Sequence, residues 1–428
     1  MPPSVPSPAQ KLVAGVAFLT PLAATVALYL PSGLLMPTRL ALLLLAALAL
    51  VTALRERRLP APRTAWVAGG ALGVLALCCL LASLRFGVAS AVEVADLSFI
   101  AVGLAAAVLC AATPQLTVGL LAGWLTSAVL AAAVGIWETL MGKHLPNSVG
   151  VTATLDAPGW NEITSWFDNP NLYAYHCTVV LLLLPMAASL LRDSRWRWAL
   201  VPLGVVIAGL LARTHGQMAL LAFGLGAVWW CLCSRVGRWC LTAGVLLLVI
   251  TAALQLPPGW NVYRAGEVAL DGLQWEGKST YIRAALARTA WWVAEQTGFL
   301  GAGPGGFERW ALREDAPSYP TGFSNAHWGM LEILANYGAI TLVALLTALL
   351  IGAVASVRLS RHLLRSGNAR AAGLVYGAGA LALTLPVLSM SHSTWLAQPL
   401  TAVHLVTLVA VLAHGEFLRH REEISHND

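Results

Sequence analysis

The sequence predicts an all-α polytopic membrane protein of about twelve transmembrane helices, with one large external loop between the ninth and the tenth. Three observations carry that expectation. Of 428 residues, 58% are hydrophobic and 11% charged, and the mean hydropathy is +0.72, which leaves too little polar surface to cover a soluble globule of this size. The apolar residues fall in runs of about 16 to 25, near the roughly 20 that a helix needs to cross a bilayer, and they lack the strict alternation of barrel strands. The charge gathers elsewhere: residues 257–336 form one long polar segment, which holds Arg283, Arg288 and His327.

Taken in order, the spans are expected at 11–30, 39–54, 65–84, 95–112, 116–140, 171–191, 196–212, 217–233, 239–256, 336–357, 370–390 and 394–413. They make one integral membrane domain over residues 1–428, with 257–336 as the loop that carries the candidate chemistry. The first span follows a single lysine, Lys11, and a Pro-rich start; it is too long and uniform for a cleavable signal and is expected to stay as a helix. Basic residues set the orientation. With the N-terminus inside, 16 of the 26 lysines and arginines fall on cytoplasmic segments, among them Arg55, Arg57, Arg58, Arg192, Arg195, Arg358 and Arg361. Long loops cross regardless of charge, so the basic residues of 257–336 do not oppose this. Both termini are then cytoplasmic and the large loop external.

The net charge of +6 is by this reading a topology signal, and nucleic-acid binding is not expected. All seven cysteines lie in or at the ends of spans, so no external disulfide framework is implied. Mid-membrane ionisable groups, the usual mark of ion-coupled transport, reduce to His404 and His176, with Glu138 near an outer end.

Four external segments can meet over the outer end of the bundle: 141–170, 213–216, 257–336 and 391–393. The first is rich in turn formers and carries Trp160 and Trp166, which suits a lid on the membrane interface. Within the large loop, 279–297 predicts a helix with Ser279 or Thr280 as N-cap and an apolar stripe through Ile282, Leu286, Thr289 and Val293. Arg283 borders that stripe and Arg288 lies well round from it. The run Gly301 to Gly306 must turn sharply. A second helix is expected to start near His327 and run straight into the tenth span.

His327 is the first candidate for chemistry, because an imidazole at the mouth of an apolar bundle can act as general base towards a hydroxyl. Guanidinium groups hold diphosphate at two points and stay ionised when partly buried, and Arg283 and Arg213 are the best placed. His215 and Arg288 are further candidates for substrate binding. The glycine run offers backbone N–H groups that could face phosphate or simply make a turn. Asp168-Asn169-Pro170-Asn171 offers amides to sugar hydroxyls or a capped turn. No set of residues has metal-ligand spacing, and no metal or other cofactor is expected.

Several of these segments together resemble the O-antigen ligase and polymerase superfamily of membrane glycosyltransferases. The matching pieces are Asp168 to Asn171 leading into a span, the turn Arg213 to Gly216, Tyr281-Ile282-Arg283, Gly301 to Phe307, and Ser324-Asn325-Ala326-His327 followed by Leu331-Glu332-Ile333-Leu334 and Tyr337-Gly338. They stand in the family's order over residues 165–345. The resemblance implies transfer of a preassembled glycan from undecaprenyl diphosphate to an acceptor hydroxyl on a glycolipid or glycan, at the outer face of a bacterial cytoplasmic membrane, by an inverting route without metal. His327 would activate the acceptor, with Arg283 and Arg213 on the diphosphate.

Two positions depart from the family. Its turn reads Ser-Arg-Gly, and aligning on Gly216 puts His215 at the arginine, so either Arg213 or His215 fills that role. It has Asn directly after the histidine, where this chain has Trp328; Asn325 is the candidate substitute. A polymerase of lipid-linked repeat units is the alternative within the same family. A flippase for lipid-linked oligosaccharide is the alternative outside it, and it requires a hydrated polar path through the spans.

Overall fold

The computed structural model describes residues 7–25, 36–56, 61–87, 90–145, 162–167, 169–233, 235–253, 278–317, 325–391, 396 and 398–427. Every regular element among them is helical. The α-helices are α1 (Pro8–Thr25), α2 (Pro37–Glu56), α3 (Pro62–Phe86), α4 (Ala91–Leu109), α5 (Pro114–Met141), α6 (Pro170–Leu190), α7 (Leu200–Arg213), α8 (Gln217–Leu232), α9 (Arg235–Ala253), α10 (Lys278–Gln296), α11 (Gly306–Ala311), α12 (Gly329–Arg365), α13 (Ala369–Leu388) and α14 (Pro399–Asn427). Prolines at the first turn of α3, α5 and α6 start those helices where a missing N–H does no harm.

Among the described residues nine helices are long and apolar enough to cross a membrane, α7 being counted with the short 3₁₀ turn Arg195–Ala199 before it. The chain is thus an all-helical polytopic membrane protein. The nine fall on nine of the expected spans; α1, α8 and α9 stand at the other three, α8 as a shorter apolar helix.

The centre of the bundle is α6, α13 and α14, whose side chains are mostly buried and several of whose polar groups bond to one another or to α5. The Tyr175 hydroxyl lies 2.9 Å from His404 Nδ1, and Ser127 Oγ lies 2.9 Å from His176 Nε2. Trp124 Nε1 donates to Thr407 Oγ1 at 3.0 Å. These contacts join residues up to 283 positions apart, and in an apolar surrounding they pin helix to helix. By contrast α3 turns most of its surface outward.

The ties at the two ends of the bundle do not mix. At one end, Glu416 on α14 accepts from the N–H groups of Arg63 and Thr64 at the start of α3, and His414 Nδ1 bonds to the Ala111 carbonyl. At the other, Ser90 before α4 donates its N–H to the Pro304 carbonyl at 3.1 Å. That second end gathers His327, Arg283, the 213–216 turn and the segment 162–167.

Two expectations are corrected here. The helix after His327 does not run straight into its span: α12 is broken at Gly338, where φ is 85° and ψ 169°. Nor are His176 and His404 alone among spanning residues in being ionisable. Arg39 on α2 donates to Asp96 on α4, Nε to Oδ1 at 3.0 Å, and Glu93 stands in the first turn of α4. The hydropathy reading put Glu93 outside the fourth span and set Arg39 and Asp96 at span ends. Helices α2 and α4 extend beyond those ends, and the pair is buried because each charge cancels the other's.

Candidate active site at the loop end of the bundle

Helix α10 buries the stripe its pattern predicts, but it begins at Lys278, so Ser279 and Thr280 lie within its first turn and neither is the N-cap. Leu286, Thr289 and Val293 are buried and Ile282 is partly so; Leu286 and Val293 pack with Phe307, Ala326 and Ala335 into a small core of their own. Arg283 is half-buried at its edge and Arg288 is exposed. The helix ends at Gly298 and Phe299, both in left-handed backbone, with the Phe299 N–H reaching back to the Ala294 carbonyl at 2.7 Å.

The chain then enters the break in α12. A helix interrupted at Gly338 leaves carbonyls without their partners, and the glycine run supplies them. Ala302 and Gly303 donate to the carbonyls of Ala335 and Asn336, at 2.8 and 2.9 Å, while Ala339 donates to the Phe299 carbonyl at 2.9 Å. Further along, the Phe307 N–H donates to Asn336 Oδ1 at 2.8 Å and the Gly305 N–H to Glu93 Oε2 at 2.7 Å. The N–H groups of 302, 303, 305 and 307 are thus spent inside the protein, which makes the run a structural plug for the broken helix and leaves those four amides unavailable to a phosphate.

Glu93 is the residue that sequence reading missed. Its Oε2 accepts both the Gly305 N–H and, at 2.8 Å, the Tyr337 hydroxyl, so one carboxylate holds the glycine run and the last residue before the break. A signal was present in Ser90-Ala91-Val92-Glu93, the spacing of a capping box. Ser90 Oγ does accept from the Glu93 N–H at 3.2 Å, but the carboxylate points across to the loop.

His327 sits just before α12 on this plugged frame. Its φ is 49°, a left-handed conformation that few residues other than glycine adopt, and its N–H donates to Oδ1 of buried Asn325 at 3.1 Å. Burial and the nearby Arg283 charge, in that order, push the imidazole down to about 4. The ring is therefore neutral at ordinary pH and able to take a proton. Burial also draws Arg283 below its ordinary value, though a guanidinium stays ionised in such a place.

No family model matches this chain, and no curated protein does.

The other expected residues lie on other elements at this end. Arg213 and His215 are exposed, at the end of α7 and in the turn before α8. The turn is held by buried Thr214 and by Gly216, where a Cβ would lie 2.6 Å from that of Ala174. Asn169 caps α6 by accepting the Leu172 N–H at 2.9 Å; Asn171 is half-buried in the first turn. The lid reading rests mostly on 146–161, with Trp160, and on Asp168, which lie outside the described residues.

The described part of that segment, 162–167, is anchored by Glu138. This buried carboxylate accepts the N–H groups of Thr164 and Ser165, at 3.0 and 2.6 Å, and Nδ1 of His144 at 3.0 Å. The anchor sets Glu162 near His215; burial raises the Glu162 carboxyl, and the histidine partly offsets it. Among the described residues no group of three or more His, Cys, Asp or Glu side chains could hold a metal ion. Chemically, the pairing of a neutral imidazole with a guanidinium at the mouth of an apolar bundle supplies a proton acceptor beside an anion holder.

Proposed function

We propose that this chain is a membrane glycosyltransferase of the O-antigen ligase type, with twelve spans, both termini in the cytoplasm of a bacterium and residues 257–336 on the outer side of its inner membrane. The donor is a glycan on undecaprenyl diphosphate and the acceptor a hydroxyl of a glycolipid or glycan. In the transfer, His327 takes the hydroxyl proton as the oxygen attacks the anomeric carbon. The bond from that carbon to the diphosphate breaks with inversion, and the departing diphosphate carries its charge onto Arg283. Asn325 keeps the histidine in position, and Arg213, His215, Arg288, Asn169 and Asn171 are assigned to the substrate rim.

The observation that carries this reading is the placement of His327: half-buried just before α12 in a positive-φ turn tied to buried Asn325, with the Arg283 guanidinium close enough to bear on its titration. A base must be unprotonated before it acts, and this setting favours the neutral ring. The test is to measure donor binding and glycan transfer on the same purified protein. His327→Ala should bind lipid-linked donor as before and lose about 100-fold or more of transfer. Near-normal transfer by that variant removes the base and with it the proposed reaction. Product analysis separates ligation from polymerisation, since the glycan ends on a foreign acceptor in one case and on carrier lipid in the other.

A further inference from the structure

A cavity of about 940 Å³ runs between α3 and α12, with α4 and α14 behind it. Its wall is apolar for most of its length, through residues such as Leu72, Leu75, Leu345, Leu349 and Leu408. The charged residues that line it, Arg63, Arg358, Glu416, Arg419, His420 and Glu423, all stand where α3 begins and α12 and α14 finish. The opposite end, at Leu97, Ile333 and Leu396, has none. Along α12 the stretch from Thr341 to Arg358 rises about 26 Å at roughly 1.5 Å per residue, close to the thickness of the hydrocarbon layer.

The charges at that end do not cancel. Glu416 is occupied by the Arg63 and Thr64 backbone and the Thr64 hydroxyl, and Glu423 by Arg419 Nε at 2.7 Å. The exposed guanidiniums of Arg63 and Arg358 have no ion-pair partner among the described residues. We infer that this cavity binds an anionic phospholipid of the leaflet at that end, its phosphate on Arg63 and Arg358 and its acyl chains along the apolar wall between α3 and α12.

Charge decides the occupant. A zwitterionic lipid gains little from two guanidiniums, whereas a basic pocket between spanning helices on the cytoplasmic side suits an acidic headgroup. A diphosphate carrier entering from the loop side would set its own charge against the end of the cavity that has none. The site lies at the far end of the bundle from His327, and the inference is independent of the glycan-transfer reading.

Full-length protein freed of lipid in detergent, titrated with phosphatidylglycerol or phosphatidylcholine and read by native mass spectrometry, tests it. Phosphatidylglycerol should be retained over phosphatidylcholine. Arg63→Gln with Arg358→Gln should weaken phosphatidylglycerol roughly 30-fold, as expected for two basic side chains worth about 1 kcal/mol each at an anionic surface, and leave phosphatidylcholine unchanged. Ala355→Trp, on the cavity wall, should reduce retention of both lipids; if it does not fold, the double arginine variant decides alone, because those two side chains are exposed. Equal retention of the two lipids, no loss in the double variant, or competitive displacement by an undecaprenyl diphosphate would each overturn the site.

Discussion

Gly301 and Gly338 pack backbone against backbone across the break in α12. A Cβ on Gly301 would lie 2.6 Å from the Gly338 nitrogen, and one on Gly338 would lie 2.5 Å from the Leu300 carbonyl oxygen. Both residues also have positive φ, at 93° and 85°. The plug that supports His327 therefore has room for glycine alone at two places that are 37 residues apart in the chain.

Gly338→Ala should accordingly be among the most damaging small substitutions available. At φ 85° and ψ 169° the backbone lies in a region essentially reserved for glycine, which costs another residue about 1 to 3 kcal/mol, and forcing a methyl against backbone adds about 1 to 3. Thermal unfolding in detergent should show the loss. Gly224→Ala is the control, since a Cβ there meets nothing within 4 Å in mid-helix, and it should be neutral or stabilising by up to about 1 kcal/mol. A normal melting temperature for Gly338→Ala would mean that the break is not built as described.

Glu93 and Tyr337 should prove energetically coupled. Tyr337→Phe removes one hydrogen bond to a carboxylate, worth about 1.5 to 3 kcal/mol, and Glu93→Gln weakens two. A double-mutant cycle on unfolding should return a coupling of about 0.5 to 3 kcal/mol. Additive losses would show that the two side chains act separately.

The pH dependence of transfer should report the burial of His327. The protonated ring cannot accept a proton, so the rate should stay level below neutrality and fall as pH approaches about 4, in place of the ordinary 6.5. For stability the sign is the same: the folded value is lowered, so between 6.5 and about 4 the unfolded chain binds the proton first, and stability is complete above 6.5 and declines as pH falls.

Arg283 gives two variants that separate its roles. Arg283→Met removes the neighbouring positive charge, so the midpoint of the pH profile should move up. Arg283→Lys keeps that charge and the midpoint, but a point ammonium cannot make the two-point diphosphate contact; about 2 to 4 kcal/mol, or roughly 30- to 1000-fold in rate, should be lost. Wild-type turnover in Arg283→Lys would reduce this residue to a headgroup anchor.

Reporter tags after Pro60 and Ser366 should read as cytoplasmic, and tags after Gly150 and Ala316 as external, because the basic residues of the short loops are so unequally shared. A cytoplasmic signal from Ala316 would put His327 on the wrong side for an external donor.

By itself the sequence determined what depends on neighbouring residues only. Hydropathy marks where helices lie in lipid, and the 3.6-residue period of Ile282, Leu286 and Val293 orients α10, so the pattern alone tells Arg283 from Arg288. The half-buried place of His327 just before α12 was likewise expected from its position between a polar segment and an apolar run. What only the tertiary structure decided is where hydrogen bonds close over long separations. Glu93 reaches Gly305 across 212 positions, and Arg39 reaches Asp96 across 57. In the sequence an acid near a span end reads as solvated, and a glycine run as a turn. Once α12 breaks, its freed carbonyls must find donors in a buried site, and that need turns the glycine run into a plug and Glu93 into its anchor.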